Sequence, residues 1–430
     1  MPNPLPFQRW LILTQYYPPE PGAPQVRLAA LARELTRHGC SVEVLTALPN
    51  YPHGRIAQGY RGRALVREVR EAIPIERLWL YPAAGRKPLS RLLCYSSFTL
   101  TAMARILAYR PDVIFVEAQP ITLALAGWAL KLLKRVPFIY NTPDLQVEIA
   151  GDKRWIGLEA LVRAAAGLEN FLMRQALCVS TVTDAFIDHF AGERGIPRAR
   201  ITFLPNGADT ERLRPMPPDT AYARELGVAG KTVFTYAGTH APYHGLEIML
   251  DAAGHLRDRA DIVLLMVGNG PIRAQLERQA AERRLTNLLF RDSPFSEMAR
   301  LMSISRAAIA TIANLQAAPK MRLSKVVPPL ACGRPVIYVG QGESARLLGE
   351  HGCGIAVESG SAADFAAAIR TLADSSIAGE MGARGRRLAE SEFSWQYIVT
   401  RWLAQVAEVA AGRDPWSAPA LPSFARQSSD

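Results

Sequence analysis

Short, mostly apolar runs alternate with longer segments whose apolar residues recur at helical spacing. Over the first half of the chain the runs are Trp10–Thr14, Val42–Thr46, Asp112–Val116, Phe138–Asn141 and Cys178–Val182. Strands of a parallel sheet that is covered by helices on both faces show this near-continuous apolar pattern. The alternation therefore predicts an α/β fold with a doubly wound parallel sheet.

A proline cluster divides this pattern into two series. The turn dipeptide Asn206-Gly207 is followed by three prolines within Pro215–Pro218, which is typical of a linker. The second series of runs comprises Thr232–Tyr236, Ile262–Val267, Leu288–Phe290, Ala308–Ile312 and Val336–Val339. Because 430 residues are too many for one comfortable hydrophobic core, we predict two domains. They span residues 1–208 and 209–393, followed by a helix at 394–412 and a disordered tail at 413–430.

The chain is basic, with a net charge of +11 and a pI near 9.6. This charge favours anionic partners, namely phosphorylated small molecules, an acidic membrane surface or nucleic acid. The sequence has neither basic repeats interleaved with aromatic residues nor zinc-ligand spacings, so we expect no nucleic acid partner. The five cysteines are scattered and odd in number, as expected for reduced thiols in the cytoplasm.

One apolar segment leaves two interpretations open. Residues 86–105 are rich in bulky apolar side chains and begin with cations, so they could form a core helix or lie at a membrane interface. Nearby Arg61, Arg63 and Arg77 favour the membrane. The longest apolar stretch, Ile121–Leu133, is interrupted by a lysine and is shorter than the roughly 20 residues that span a bilayer. We therefore expect a protein that is soluble or lies on a membrane surface.

Pro319–Gly342 combines cations, a potential helix cap and a buried strand. Arg322 and Lys325 precede a short apolar segment and a Gly-Arg-Pro turn, and backbone N–H groups at a helix start would point to the same place. Such a site suits a diphosphate, although an ordinary basic turn between a helix and a strand would show the same pattern. Proline restricts the residue before it. We therefore expect the helix to begin no earlier than Pro329, which leaves Ser324 and Lys325 in a loop.

A glycine loop follows the first strand of the second series. Gly238 and Thr239 precede a helical segment, and their backbone N–H groups could bind a phosphate. His240 and His244 follow and could contact the same ligand. The histidines have no carboxylates at suitable spacing, and no Asp-x-Asp motif occurs, so we expect no metal site and no metal requirement.

A second glycine pair, Gly268-x-Gly270, follows the next strand. It superficially matches a dinucleotide-binding fingerprint. Pro271 occupies the turn that would contact the pyrophosphate, and an arginine replaces the third glycine, which argues against a dehydrogenase. We interpret Gly268 instead as part of the lining of a nucleotide cleft.

Several short segments occur in an order that resembles one known family. They are Tyr16–Glu20, Leu48–Gly54, Pro205–Asp209, Tyr236–Gly238 with His244–Glu247, Val267–Pro271, and Ser324–Lys325 with Ala331–Val336. This ordered set resembles the family 4 retaining glycosyltransferases, in particular the branch of WcaI and WbuB that assembles bacterial surface polysaccharides. The similarity runs from Trp10 to about Leu403.

The resemblance implies a GT-B fold, in which two Rossmann-like domains face each other across a cleft. The first domain would bind the acceptor and the second the sugar nucleotide, and the last helix would cross back to the first domain. The implied reaction moves a sugar from a UDP- or GDP-sugar to a polyprenyl-diphosphate-linked saccharide, with retention and without a cofactor. The implied location is the cytoplasm, peripheral at the inner face of the plasma membrane.

The same resemblance suggests roles for individual residues. Preorganised cations stabilise the charge that develops on a leaving phosphate, which makes Lys325, and after it Arg322, the candidates for that task. Asp144 matches a family aspartate that faces the cleft; it could orient the acceptor hydroxyl or cap the following helix. Glu148 also matches a family carboxylate. Gly22 would let the first loop approach the donor phosphate closely.

The chain departs from the family at one pair of residues. Many members carry two glutamates where this chain has Lys320 and Pro328, and in the branch it most resembles Ser324-Lys325 commonly replaces them. Glu343 is our candidate to accept the ribose hydroxyls, although a first-turn glutamate is also favoured by the helix macrodipole. A sugar-nucleotide 2-epimerase and a non-catalytic sugar-nucleotide-binding protein remain the alternative functions.

Overall fold

The computed structural model describes residues 5–20, 22–51, 54–83, 88–145, 159–315 and 318–417. The chain divides into two compact units. The first contains the residues up to Pro205 together with 398–417, and the second contains Asn206–Tyr397. The long helix Trp395–Ala410 therefore begins in the second unit and continues in the first. Both units are built on a mostly parallel sheet with helices between the strands, which confirms the predicted α/β fold class.

An eight-stranded sheet forms the centre of the first unit. Its strands are β1 Arg9–Leu13, β2 Ser41–Ala47, β3 Leu65–Arg70, β4 Ile73–Leu78, β5 Val113–Glu117, β6 Phe138–Thr142, β7 Val179–Thr181 and β8 Ile201–Phe203. They lie in the order β3-β4-β2-β1-β5-β6-β7-β8, and only the pair β3 and β4 is antiparallel. Because the strand order reverses at β1, the carboxyl ends of β1 and β5 flank a topological switch point.

Helices connect these strands and cover the sheet. In the described part of the first unit they are Ala23–Arg37, Pro88–Ile106, Ala124–Lys134, Glu159–Gln175 and Asp184–Gly192, joined by most of Trp395–Ala410. Trp402 of the last helix is fully buried, and its ring lies 5.7 Å from that of Trp10 and 5.6 Å from that of Phe115. Its indole N–H donates to Ser180 Oγ at 2.8 Å. The last helix thus completes the core of the first unit.

The second unit contains a six-stranded parallel sheet. Its strands are β9 Thr232–Ala237, β10 Ile262–Val267, β11 Leu288–Arg291, β12 Ser305–Thr311, β13 Val336–Val339 and β14 Gly354–Val357. The order β11-β10-β9-β12-β13-β14 is that of a Rossmann sheet. Its switch point lies between β9 and β12, whose carboxyl ends are therefore the expected ligand-binding edge.

The helices of the second unit pack on both faces of this sheet. They are Thr220–Glu225, Glu247–His255, Arg273–Glu282, Met298–Ser303, Val327–Ala331, Glu343–Glu350, Ala362–Asp374 and Ile377–Glu392. Successive strand residues such as Val233 and Phe234 belong to two separate buried clusters. This alternation follows from the strand geometry, in which neighbouring side chains point to opposite faces.

The predicted strands are all present, but β3, β4, β8 and β14 were not predicted. β4 was not predicted because Glu76 and Arg77 interrupt its apolar residues with charges. In the structure both side chains are buried. Arg77 donates to Glu68 Oε1 at 2.8 Å and also to the carbonyl of Pro18. A buried charge of this kind needs partners, and here they come from the neighbouring strand β3 and from a loop 59 positions away.

Two local predictions were wrong. The helix after Lys325 begins at Val327, not at Pro329. Prolines suit the first turn of a helix, because the N–H groups they lack would have no intrahelical partner there. Residues 413–417, which we expected to be disordered, contain the short helix Pro415–Ser417, and Trp416 donates to the carbonyl of Arg198 at 3.2 Å. The rest of the expected tail lies outside the described residues.

Within the described ranges, no helix has both the length and the apolar character needed to cross a bilayer. The five cysteines are free and buried.

The packing of Trp402 generates a prediction for stability. Trp402→Ala should lower the free energy of unfolding by about 3–5 kcal/mol, because it leaves a large cavity between buried aromatic rings. Trp402→Phe keeps most of the packing and loses one hydrogen bond, so its cost should be about 1 kcal/mol. Urea unfolding followed by circular dichroism measures both. Equal costs for the two variants would contradict the packing described for Trp402.

Candidate functional site

The loop after β9 lies at the switch point of the second sheet. Gly238 and Thr239 follow β9 directly, and the turn Pro242–His244 leads into the helix Glu247–His255. Side-chain and backbone hydrogen bonds tie this loop to the end of β12. Thr311 Oγ1 donates to the His244 carbonyl at 2.7 Å. The two strand ends that flank the switch point are therefore joined by the loop that was predicted to bind a phosphate.

Gly238 and Gly268 allow two loops to meet closely. The N–H of Gly238 donates to the carbonyl of Val267 at 2.9 Å. A Cβ atom on Gly268 would lie 2.2 Å from the carbonyl oxygen of Gly238, and Gly268 has φ of +125°, which other residues rarely adopt. The structure thus brings the two predicted glycine loops together.

Lys325 lies directly against the Gly238 loop. A Cβ atom on Gly238 would lie only 2.1 Å from Lys325 Cε. The ammonium nitrogen of Lys325 is 2.7 Å from His244 Nε2 and 5.4 Å from the centre of the Tyr236 ring. Ser324 and Lys325 form a turn before the helix Val327–Ala331, so their predicted position outside the helix is confirmed.

The electrostatic surroundings of Lys325 are unusual for a lysine. Among the described side chains, no carboxylate lies within ion-pair distance of its ammonium group. Burial lowers the pKa of Lys325 to about 7, because the charged form loses hydration without gaining a counter-charge. An anion placed beside Lys325 would supply that counter-charge. The geometry therefore favours a phosphate or another anion as ligand.

Two histidines line the same loop and are both neutral at physiological pH. Burial, and after it the charge of Lys325, lowers the pKa of His244 to about 3, so neutral His244 accepts a hydrogen bond from Lys325. Burial, and after it Arg273, lowers the pKa of His240 to about 4. Neither ring nitrogen of His240 has a hydrogen-bond partner among the described residues. Positive charge beside this loop therefore comes from Lys325 in its protonated form and not from either histidine.

The side chain of Arg322, the second predicted cation, contacts Glu343 and Phe393. Its Nη1 lies 3.5 Å from Glu343 Oε1, and its guanidinium carbon lies 5.0 Å from the centre of the Phe393 ring. The side chains of Arg322 and Glu343 are only 7% and 4% exposed. The structure thus joins two predicted site residues to each other and leaves Lys325 beside Gly238. Glu343 is also the first residue of the helix Glu343–Glu350, where a carboxylate favours the macrodipole.

Two of the predicted site residues belong to the first unit. Gly22 precedes the helix Ala23–Arg37, and a Cβ atom there would lie 2.3 Å from Gln25 Oε1. Asp144 follows β6, and Gln119 Nε2 donates to its Oδ2 at 2.6 Å. Gln119 follows β5, so this pair lies at the carboxyl edge of the first sheet. Glu148, and any helix that Asp144 could cap, lie outside the described residues.

A buried ion pair that was not predicted also lies at this edge of the first sheet. Arg27 Nη2 lies 2.5 Å from Glu117 Oε1, and both side chains are 2% exposed. Asn141 Nδ2 donates to Glu117 Oε2 at 2.7 Å. Burial raises the pKa of Glu117, and Arg27 opposes that rise. Because 90 positions separate Arg27 from Glu117, no local pattern could have identified the pair.

No group of three or more His, Cys, Asp or Glu side chains that could hold a metal ion occurs in the part of the chain that the structure describes.

Two family models match the chain. The model described as a glycosyl transferase 4-like domain matches residues 22–207, and the model described as glycosyl transferases group 1 matches residues 231–375. The first match corresponds to the first unit. The second contains β9 to β14 with Gly238, Gly268 and Lys325.

Known proteins are similar over much of the chain. The putative colanic acid biosynthesis glycosyl transferase WcaI of Escherichia coli K12 is 26% identical over 268 residues, which are 60% of this chain and 64% of WcaI. The MMP alpha-(1->4)-mannosyltransferase of Mycolicibacterium hassiacum is 26% identical over 422 residues, 91% of this chain and 96% of that protein.

The crystal structure of Anabaena HepE in complex with UDP and glucose matches with a TM-score of 0.69 at 20% sequence identity. The match covers 94% of this chain and 99% of HepE, which shows a shared fold.

The buried ammonium group of Lys325 generates a prediction for stability against pH. The pKa is about 7 in the folded protein and 10.5 in the reference lysine, so between these values the unfolded chain binds the proton and the folded chain does not. The Lys325 contribution to the free energy of unfolding should therefore rise from pH 7 to 10. Below pH 7 both states are protonated, and this contribution should be constant.

The measurement compares urea unfolding of the wild type and Lys325→Met at several pH values. The wild type should gain stability relative to Lys325→Met as the pH rises. Lys231→Met, which removes an exposed lysine just before β9, controls for loss of a lysine charge. A constant difference between wild type and Lys325→Met over this range would contradict the prediction.

Proposed function

Because the chain belongs to the family 4 glycosyltransferases of GT-B fold, we propose that it transfers a sugar from a nucleoside-diphosphate sugar to a saccharide on a lipid diphosphate. The observation that carries this proposal is the position of Lys325 against the Gly238 loop. That loop lies at the switch point of a Rossmann-ordered sheet, where nucleotides bind in such folds.

The proposed reaction needs positive charge beside the leaving diphosphate. The bond between the anomeric carbon and the diphosphate breaks, a bond to the acceptor oxygen forms on the same face, and the acceptor proton passes to the departing diphosphate. Negative charge grows on the diphosphate as it leaves. Lys325 and the backbone N–H of Thr239 would stabilise that charge, since the N–H groups of Gly238 and His240 already donate to the carbonyls of Val267 and Asn269. Each such donor is worth roughly 3 kcal/mol in comparable sites.

Lys325 is suited to this task because it gains more from a phosphate than an exposed lysine does. Its pKa is lowered by burial, so a bound diphosphate would restore the protonated form and a favourable ion pair. We further propose that the reaction requires no metal ion, since Lys325 would supply the charge that a divalent cation supplies in metal-dependent transferases.

The donor is proposed to be a UDP- or GDP-sugar. HepE, which shares the fold, was crystallised with UDP and glucose, and a similar protein is a mannosyltransferase. Glu343 would accept the ribose hydroxyls, with Arg322 holding its carboxylate in place. Thermal shifts with UDP and GDP would identify the base, because a ligand that binds the folded state raises stability according to its affinity.

The acceptor and pathway are proposed from a relative. WcaI is named as a glycosyl transferase of colanic acid biosynthesis, which supports a role in bacterial exopolysaccharide, O-antigen or capsule assembly. The acceptor would be a polyprenyl-diphosphate-linked saccharide at the cytoplasmic face of the plasma membrane. Asp144, whose carboxylate is held by Gln119, would orient the acceptor hydroxyl. We propose retention of anomeric configuration, as in the rest of the family.

The central test replaces Lys325. With EDTA present throughout, Lys325→Ala should lower kcat/KM for transfer by about 100-fold to 1,000-fold, because one preorganised donor to the leaving group is lost. Chromatography of products formed from UDP- and GDP-sugars with a short-chain polyprenyl-diphosphate acceptor measures the rate. Lys231→Ala, at an exposed site in the same unit, should leave transfer unchanged.

Other results would point to other functions. Transfer at the wild-type rate by Lys325→Ala would overturn the site, and loss of wild-type transfer in EDTA would overturn metal independence. Formation of the 2-epimer of the donor, without an acceptor, would indicate an epimerase. Nucleotide binding without any turnover would indicate a binding protein.

The contact between Gly238 and Lys325 allows a second, independent test. Gly238→Ala would push the end of the Lys325 side chain away from the loop, so it should weaken UDP or GDP binding by a factor close to that of Lys325→Ala. The double variant should bind no more weakly than Lys325→Ala alone, since both changes remove one interaction. Calorimetric titration measures these affinities. Gly230→Ala is the matched control, because Gly230 also has a positive φ, +73°, and a Cβ atom there meets nothing within 4 Å.

A further inference from the structure

The helix Pro88–Ile106 turns an apolar face to solvent. Its inner face is buried through Cys94, Phe98 and Ala102. Its outer face exposes Leu92, Leu93 and Leu100, the last with 67% of its surface accessible. No charged residue occurs between Arg91 and Arg105. A helix on the surface of a soluble protein normally has a polar outer face, so this arrangement needs an explanation.

Two neighbouring helices continue the exposed apolar surface. Ala124–Lys134 packs against Pro88–Ile106 on one side and against Glu159–Gln175 on the other. Trp128 and Phe171 join the latter two helices, with ring centres 5.2 Å apart. The apolar side chains exposed on the three helices and just beyond form what we call the outer helix surface. They are Leu92, Leu93, Leu100, Leu107, Leu132, Leu133 and Phe171.

The charged side chains described on these three helices and at their ends are cationic with one exception. Glu169, an acidic residue whose side chain is described on these helices, is buried and lies 3.2 Å from Arg194. The remaining charged side chains that the structure describes from 88 to 110, 121 to 135 and 160 to 175 are cationic. They are Arg91, Arg105, Arg110, Lys131, Lys134, Arg135, Arg163 and Arg174. Arg105 is ion-paired with Glu76 of β4, so the other cations supply the basic margin. The outer helix surface is therefore apolar with a basic margin.

Two aromatic residues lie beside the first helix. Trp79 and Tyr81 are both exposed, and hydrogen bonds attach their backbone to the helix. Thr101 Oγ1 donates to the Trp79 carbonyl at 3.1 Å, and the N–H of Tyr81 donates to Ser97 Oγ at 2.8 Å. Trp and Tyr are enriched where protein meets the headgroup region of a bilayer.

We propose that the outer helix surface docks on an anionic lipid membrane. Its leucines would enter the boundary between headgroups and acyl chains, and the surrounding cations would contact lipid phosphates. The proposal rests on the proposed function and deepens it, because a lipid-linked acceptor lies in a membrane and this surface would bring the protein to it. Several exposed leucines beside cations supply the two attractions that stable peripheral binding needs.

A second copy of the chain fits this surface less well. In a symmetric dimer the same patch contacts itself, so the basic margin would face another basic margin. Like charges placed opposite each other across an interface are unfavourable, and no exposed carboxylate among the described side chains of the three helices could compensate. A lipid surface that carries negative charge has no such conflict.

The experiment measures binding of the full-length protein to vesicles by co-sedimentation. Vesicles of phosphatidylglycerol mixed with phosphatidylethanolamine should bind the protein, whereas vesicles of phosphatidylcholine alone should bind it far less. Arg163→Glu with Arg174→Glu should weaken binding by about five-fold or more for each cation lost. Leu100→Glu with Leu133→Glu should weaken it by about ten-fold or more, because the apolar contact with acyl chains is lost.

Matched variants control for fold and charge. Val69→Glu changes an apolar residue on β3 that is 67% exposed, the same fraction as Leu100 and Leu133, and it should bind as the wild type does. Arg401→Glu removes an exposed cation elsewhere in the first unit and should also have little effect. Circular dichroism of each variant verifies folding before vesicles are added.

Three results would overturn the proposal. The first is binding that does not distinguish anionic from neutral vesicles. The second is binding that the two double variants leave unchanged. The third is a dimer in light scattering that Leu100→Glu with Leu133→Glu dissociates, since it would assign the surface to a second copy. Failure here is separable from failure of the proposed function, because UDP or GDP binding and its loss in Lys325→Ala are measured without lipid.

Discussion

Removing a lysine ammonium group from water without a counter-ion costs free energy. In the second unit Lys325 is buried in this way, beside the loop that follows β9. Gly238 makes room for Lys325, the switch point places that loop at the edge of the sheet, and neutral His244 provides a hydrogen bond without cancelling the charge. A ligand with negative charge would compensate for the lost hydration. In the folded protein the buried ammonium group of Lys325 therefore lacks a counter-charge, and a bound anion would supply it.

The sequence predicted the fold well because buried parallel strands carry their signal locally. An apolar run such as Ile262–Val267, which is too short for a typical helix and is followed by Gly268, indicates a strand from its own segment of sequence. Strand β4 was missed for the opposite reason. β4 buries Glu76 and Arg77, and their partners come from β3, the helix Pro88–Ile106 and the loop at Pro18. When charged side chains are buried through partners on other elements, the strand that carries them shows no alternation of apolar and polar residues.

The candidate site was predictable only in part for the same reason. Gly238, Gly268 and Lys325 were recognised as separate loop features, but their contact depends on the order of strands in the sheet, which no single segment contains. Arg322 and Lys325 are equivalent in the sequence, since both are cations in one loop. The fold distinguishes them by placing Glu343 and Phe393 beside Arg322 and neither beside Lys325. Arg27 and Glu117 are 90 positions apart, so no short segment of the sequence indicates that they form a buried ion pair.

The final helix has a consequence for biosynthesis. Residues 398–417 belong to the first unit, and Trp402 fills its core between Trp10 and Phe115. A ribosome delivers the amino-terminal segment of that core long before Trp402 emerges. The strands of the second unit, β9 to β14, all precede Trp402 in the chain. Its sheet can therefore form while the first unit still lacks the Trp402 side chain. During synthesis the core of the first unit therefore stays incomplete until the carboxyl-terminal helix has been made.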